Sequence, residues 1–173
     1  MEILIELLKI SIPAVIVAYT LFLTVKAFTA KELDKVKVDA YNRSKDTVLP
    51  IRLQAYERIC LFLERISPNN LIPRLNAPNL TAKELQTLLL RDIREEFSHN
   101  LSQQLYMSNE SWNAVKMAME QTISLINESA GELEENASNM DLVKRVFDKI
   151  MLVEQNAIDL ALTTVKDEIR AIF

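Results

Sequence analysis

One glycine, Gly131, in 173 residues sets the strongest limit on what this chain can fold into. Ordinary usage near 7% would supply about twelve. Tight hairpins, bulges and phosphate-cradling loops draw on glycine for positive φ, so the chain has little means of building them and helices are the fold left open. The same shortage removes the Walker loop, GxGxxG and GxSxG from consideration. The expected fold class is all-α: an N-terminal transmembrane helix continuing into a charged stalk, then a four-helix bundle-like domain. The expected divisions are an anchor over 1–28, a stalk over 29–47 and a bundle over 48–173 with a Pro-rich loop at 67–80.

The anchor is read from the uncharged run between Lys9 and Lys26. Sixteen residues give about 24 Å of helix, and lysines snorkelling at both ends stretch this toward the roughly 30 Å of a bilayer core. Its apolar residues, Ile10, Ile12, Val15, Ile16, Val17, Leu21, Phe22, Leu23 and Val25, surround the whole cylinder, whereas a helix lying on a soluble core keeps one polar face. A cleaved signal is the rival, since Val25-Lys26-Ala27 resembles a small-residue cleavage site. It is disfavoured by Glu2 and Glu6 ahead of the run and by Lys26 beside the cut. Six cations from Lys26 to Lys45 follow the run and only Lys9 precedes it, which places the carboxyl-terminal bulk on the cytoplasmic side of an inner membrane. A single cysteine, Cys60, agrees with a reducing compartment. Asn-x-Ser/Thr sequons, for example at Asn79 and Asn127, raise a glycosylated ectodomain as the rival placement, but most fall in or beside predicted helices and read as chance matches.

Thr29 to Asp46 carries alternating charge with Glu32 and Lys35 at helical spacing, the pattern of a solvated helical stalk. Pro50 then suits the first turn of a new helix with Thr47 as cap, its stripe being Leu53, Tyr56, Ile59, Cys60, Leu63 and Ile66. Pro68, Pro73 and Pro78 predict a stiff extended connection pinned by Leu71, Ile72, Leu75 and Leu80. Thr81 and Glu84 form a capping box opening a helix to about Tyr106, with Leu85, Leu89, Ile93, Phe97, Leu101 and Leu105 as its core face. A further helix starts near Ser108 with Trp112, Val115, Met119, Ile123 and Ile126 inward. A last one spans Asp141 to Ile172 along Val143, Val146, Ile150, Val153, Ala157, Leu160, Ala161, Val165 and Ile169.

The segment LPIRLQAYERICLFLERISPNNLIPRL, Leu49 to Leu75, resembles the signature region of an uncharacterised family of single-pass bacterial membrane proteins with a helical cytoplasmic domain. The resemblance implies the architecture above and brings no activity with it.

Candidate chemistry is sparse. One His and one Cys give no zinc set and no Cys-His couple. Glu96 and His99 have the Glu-x-x-His spacing of di-iron bundles, but that chemistry needs a second such pair, and there is no second His. A carboxylate-metal bundle enzyme is therefore the alternative, as is an exported helical protein after cleavage; no enzymatic activity, cofactor, metal or small-molecule substrate is expected. Arg52, Arg58, Arg65 and Arg74 are the candidate interaction residues, with Glu57 and Glu64 placed to neutralise two of them. Residues 26–65 hold nine Lys/Arg against six Asp/Glu, a net of +3, and residues 66–173 hold ten against sixteen, a net of −6. Basic near lipid and acidic beyond suits a tethered domain and leaves no basic face for nucleic acid. The expected partners are membrane lipid and either another protein or a second copy, and the expected role is a membrane-anchored interaction or scaffold module.

Overall fold

The computed structural model describes residues 2–152 and 156–171, with the side chains of 2–15, 30, 33–34 and 36–46 outside that description. The described residues are almost wholly helical, with six α-helices and one 3-10 helix. These are α1 (Glu2–Ile66), α2 (Pro68–Leu75), α3 (Ala82–Asn100), the 3-10 helix (Leu101–Tyr106), α4 (Asn109–Gly131), α5 (Asn139–Leu152) and α6 (Ala157–Arg170). The chain divides into two compact units, Met1–Leu49 and Pro50–Phe173.

In the first unit Ile16, Val17, Leu21, Phe22, Leu23, Val25 and Phe28 are all exposed, and Lys35 and Glu32 approach to 4.0 Å across the solvated side of the helix. Ile10, Ile12 and Val15 lie outside the described side chains. Among the described residues no helix is long and apolar enough to cross a membrane.

The second unit is a helical bundle. Its core is set first by the α1 residues Ala55, Tyr56, Ile59, Phe62, Leu63 and Ile66, each at most 2% exposed. This stripe differs from the expected one: Ala55 joins it, and Cys60 is only half-buried. Leu53 is exposed, and Phe62 takes its share, packing at 5.8 Å on Phe97, which stacks at 5.5 Å on Trp112. Opposing residues are Leu71 and Ile72 of α2, Leu85, Leu89 and Ile93 of α3, Val115 and Ile126 of α4, Leu142 and Val146 of α5, and Ala161 and Val165 of α6. Helices α4 and α6 pack closely on one another. Small side chains permit it: Ser111, Ala118, Thr122 and Ser129 are buried on α4, with the Thr122 and Ser129 hydroxyls donating to the Ala118 and Leu125 carbonyls at 2.8 and 2.7 Å. Those internal bonds remove the cost of burying the hydroxyls.

Polar contacts order the elements along the bundle axis. At one end Arg52, Tyr56, Tyr106, Ser108 and Glu168 meet. At the other, the Thr81 and Ser138 backbones form an isolated antiparallel bridge, with Ala82 N–H donating to the Ala137 carbonyl at 3.0 Å and Asn139 N–H to Leu80 at 3.3 Å. Both bridged residues cap helices. Thr81 and Glu84 make the expected capping box, the Thr81 N–H donating to the carboxylate at 2.8 Å, and Ser138 with Asp141 repeats it at 2.9 Å.

Four expectations are corrected. Pro50 lies within α1 rather than opening a new helix, so the Asp46 carbonyl loses only its helical donor while the pattern continues on both sides. The Pro68–Pro78 connection is not extended throughout: Pro68 takes the first position of α2, where its missing N–H is no loss, and Pro73 is also helical. The helix from Thr81 stops at Asn100, whose side chain donates to the Glu96 carbonyl at 2.8 Å, and the chain tightens into the 3-10 helix. Leu101 and Leu105 are consequently outside the core, 45% and 78% exposed. The last helix is two, because the Asn156 side chain accepts from Ile158 N–H at 3.0 Å and starts α6 afresh. Val153 and Ile172 lie outside the described residues, and Leu160 is exposed.

The revised α3 boundary has a direct test by urea denaturation. Leu89→Ala, which empties a fully buried site, should cost about 3 kcal/mol, whereas Leu105→Ala should change stability by less than about 0.5 kcal/mol. Equal costs would restore the single long helix.

Candidate functional site

Three of the four arginines singled out in the sequence are tied into the bundle by carboxylates distant in the chain. Among the described residues, neither Glu57 nor Glu64 is ion-paired with them. Arg74 forms a two-pronged pair with Asp92 at 2.7 and 3.0 Å, and that bond holds its guanidinium above the usual arginine range. Arg65 pairs with Glu96 at 2.8 Å. Because Asp92 and Glu96 are one helical turn apart on α3, the two pairs form successive rungs between α3 and the α1–α2 segment. Arg58 is exposed and, among the described residues, has no ion pair; it lines a groove with Gln54, Ser102, Gln103 and Leu105.

Arg52 belongs to a junction centred on Glu168 of α6, a carboxylate with 19% side-chain exposure. Glu168 accepts from the Tyr56 hydroxyl at 2.6 Å, from Ser108 N–H at 2.8 Å and from the Ser108 hydroxyl at 2.8 Å. Arg52 stands 3.9 Å from the carboxylate, donates to the Tyr56 oxygen at 3.1 Å and to the Tyr106 carbonyl at 3.1 Å. Burial pushes the Tyr56 hydroxyl up to about 12, reinforced by its bond to Glu168 and opposed by Arg52. Burial alone would raise Glu168, but hydrogen bonds from Ser111, Tyr56 and Ser108 outweigh it and hold the carboxyl below its ordinary value. The arrangement holds three helices at one point: α1 through Arg52 and Tyr56, the cap of α4 through Ser108, and α6 through Glu168 itself.

Sequence patterns bring out a helix start near Ser108 and Tyr56 as a core residue, but not the meeting of Ser108 and Tyr56 with Glu168. One clue was available, since a tyrosine on a buried stripe needs a partner for its hydroxyl. The alternative chemistry finds little to build on. Glu96 is committed to Arg65, His99 is exposed, and among the described residues no group of three or more His, Cys, Asp or Glu is placed to hold a metal. Cys60 is half-buried, and burial pushes its thiol up, away from the reactive thiolate.

The fold and these contacts define an all-helical protein in which several polar side chains join one helix to another. The chain belongs to the family described as "Family of unknown function (DUF7935)", whose model matches residues 2–172. This agrees with the expectation of an uncharacterised family, and its description carries neither a membrane nor a bacterial assignment. No curated protein and no solved structure matches the chain.

The two shifted groups give stability a defined pH dependence. Glu168, lowered on folding, contributes fully above the ordinary carboxylate value of 4.5, and its contribution is lost as pH falls through the lower folded value. Tyr56, raised from 10.0 to about 12, contributes fully below pH 10 and loses its contribution as pH climbs toward 12. Thermal melts should show Glu168→Ala lowering Tm at pH 7 by about 5 °C, from about 2 kcal/mol, with a smaller deficit on acidification. A deficit that is unchanged at low pH would contradict the junction's ionic character.

Proposed function

We propose that this protein is a membrane-tethered helical bundle that serves as an interaction or scaffold module on the cytoplasmic face. The observation that carries the tether is the surface of α1 between Ile16 and Phe28. Ile16, Val17, Leu21, Phe22, Leu23, Val25 and Phe28 are 45–64% exposed and occupy every side of the helix, so no single packed neighbour would cover them. At about 1.5–3 kcal/mol for each such side chain moved out of water, the gain from an apolar solvent exceeds roughly 10 kcal/mol. The polar interruptions fit the same solvent. Thr20, Thr24 and Thr29 donate their hydroxyls to the Ile16, Thr20 and Val25 carbonyls at 3.0, 2.8 and 3.0 Å, and so have no need of water as a partner.

The flanking charge supports the orientation, and a binding role is supported by the bundle's architecture, in which Glu168, Glu96 and Asp92 are engaged by a tyrosine, a helix cap and arginines that join one helix to another. A tether, a spacer and a packed bundle are the parts of a recruiting platform.

Flotation of the full-length chain with phosphatidylcholine–phosphatidylglycerol vesicles tests the tether. The wild type should rise with the vesicles and stay there in 1 M salt (roughly a 3 Å screening length), which removes charge-only attachment. Val17→Lys with Leu21→Lys should leave it at the bottom. Uncut wild type remaining in the aqueous fraction would end this reading, and protease digestion of the bundle in right-side-out rather than inverted vesicles would reverse the orientation.

A further inference from the structure

We infer that the groove around Arg58 docks an acidic, leucine-bearing segment of another protein. This rests on the interaction role proposed above and names the surface that performs it. Arg58 lies two turns before Arg65 on the same face of α1, and Arg65 and Arg74 meet Glu96 and Asp92. Two turns beyond Glu96 the chain would have to supply a carboxylate for Arg58. It has left the α-helix at Asn100 by then, and Ser102 and Gln103 of the 3-10 helix stand at the groove instead. Arg58 is thereby the rung without its anion.

What surrounds it fits an incoming peptide. Gln54, Ser102 and Gln103 offer amide and hydroxyl groups around a groove of about 220 Å³. Ile51 and Leu105, 44% and 78% exposed, stand on the same groove as apolar walls. A guanidinium lacking a carboxylate, ringed by hydrogen-bonding side chains and flanked by exposed aliphatic ones, complements a segment in which acidic and leucine residues alternate. The chain's own acidic turn, Glu132 to Glu135, adjoins the opposite end of the bundle next to Ala137 and Ser138. That turn therefore lies away from the groove of its own bundle, and the occupant is a segment of a different protein.

The test uses the full chain in detergent micelles and two fluorescein-labelled hexapeptides, one alternating leucine with glutamate and the other leucine with glutamine. By fluorescence anisotropy the glutamate peptide should bind the wild type about tenfold more tightly than the glutamine peptide. Arg58→Glu should abolish that preference, Arg94→Glu, an exposed cation on α3 away from the groove, should keep it, and Leu105→Ser should weaken both peptides. Circular dichroism melts of each variant establish that it is folded. Equal binding of the two peptides to the wild type, a preference surviving in Arg58→Glu, or no saturable binding of either would overturn the inference. So would a wild-type dimer, seen by sedimentation equilibrium, that Arg58→Glu dissolves, because the occupant would then be a second copy. Vesicle flotation reports on the tether independently, so loss of one result leaves the other standing.

Discussion

Glu168 is where the second unit is held shut. A partly buried carboxylate is unfavourable unless its oxygens are filled, and here they are filled by a tyrosine hydroxyl, a serine hydroxyl and a helix-cap amide from two other elements. Each donor comes from a residue that also serves the hydrophobic packing or a helix start. The polar contact therefore selects one register among those the apolar stripes of α1, α4 and α6 would tolerate. The small buried residues Ser111 and Ala118 let α4 and α6 approach closely enough for that selection to work.

The arginine–carboxylate rungs act differently. Arg65–Glu96 and Arg74–Asp92 lie at the surface, with Arg65 half exposed, and pairs of that kind contribute little to net stability. Their value is directional. They fix which turn of α3 lies against which turn of α1 and α2, and they remove from consideration as free binding groups three cations that composition alone would have counted as available, Arg52 included.

Much of this architecture was legible in the residues. The Thr81 capping box, the helix start near Ser108, the seam through Leu85, Leu89 and Ile93, and the inward Trp112 follow from local spacing, and local spacing is what a helix obeys. The misread places are of two kinds: prolines that the helices accommodate, at Pro50, Pro68 and Pro73, and helix ends where side-chain hydrogen bonds overrode periodicity. Leu101 and Leu105 continue a four-residue rhythm, yet Asn100 ends the α-helix one residue earlier. The rhythm through Ala157 and Ala161 likewise hides a new start at Asn156, though Asn156 with Asp159 three positions on was a readable first-turn pattern. The partners of the arginines were not legible, because Glu168, Glu96 and Asp92 reach them only through the packed fold.

The bridge between Thr81 and Ser138 joins the starts of α3 and α5, two helices far apart along the chain. Fraying at one start pulls on the backbone amide that secures the other, so the two ends behave as one cooperative latch rather than as independent tips. Hydrogen exchange at Ala82 and Asn139 is then governed by a shared opening event, and a lesion in either cap is felt across the whole far end of the bundle.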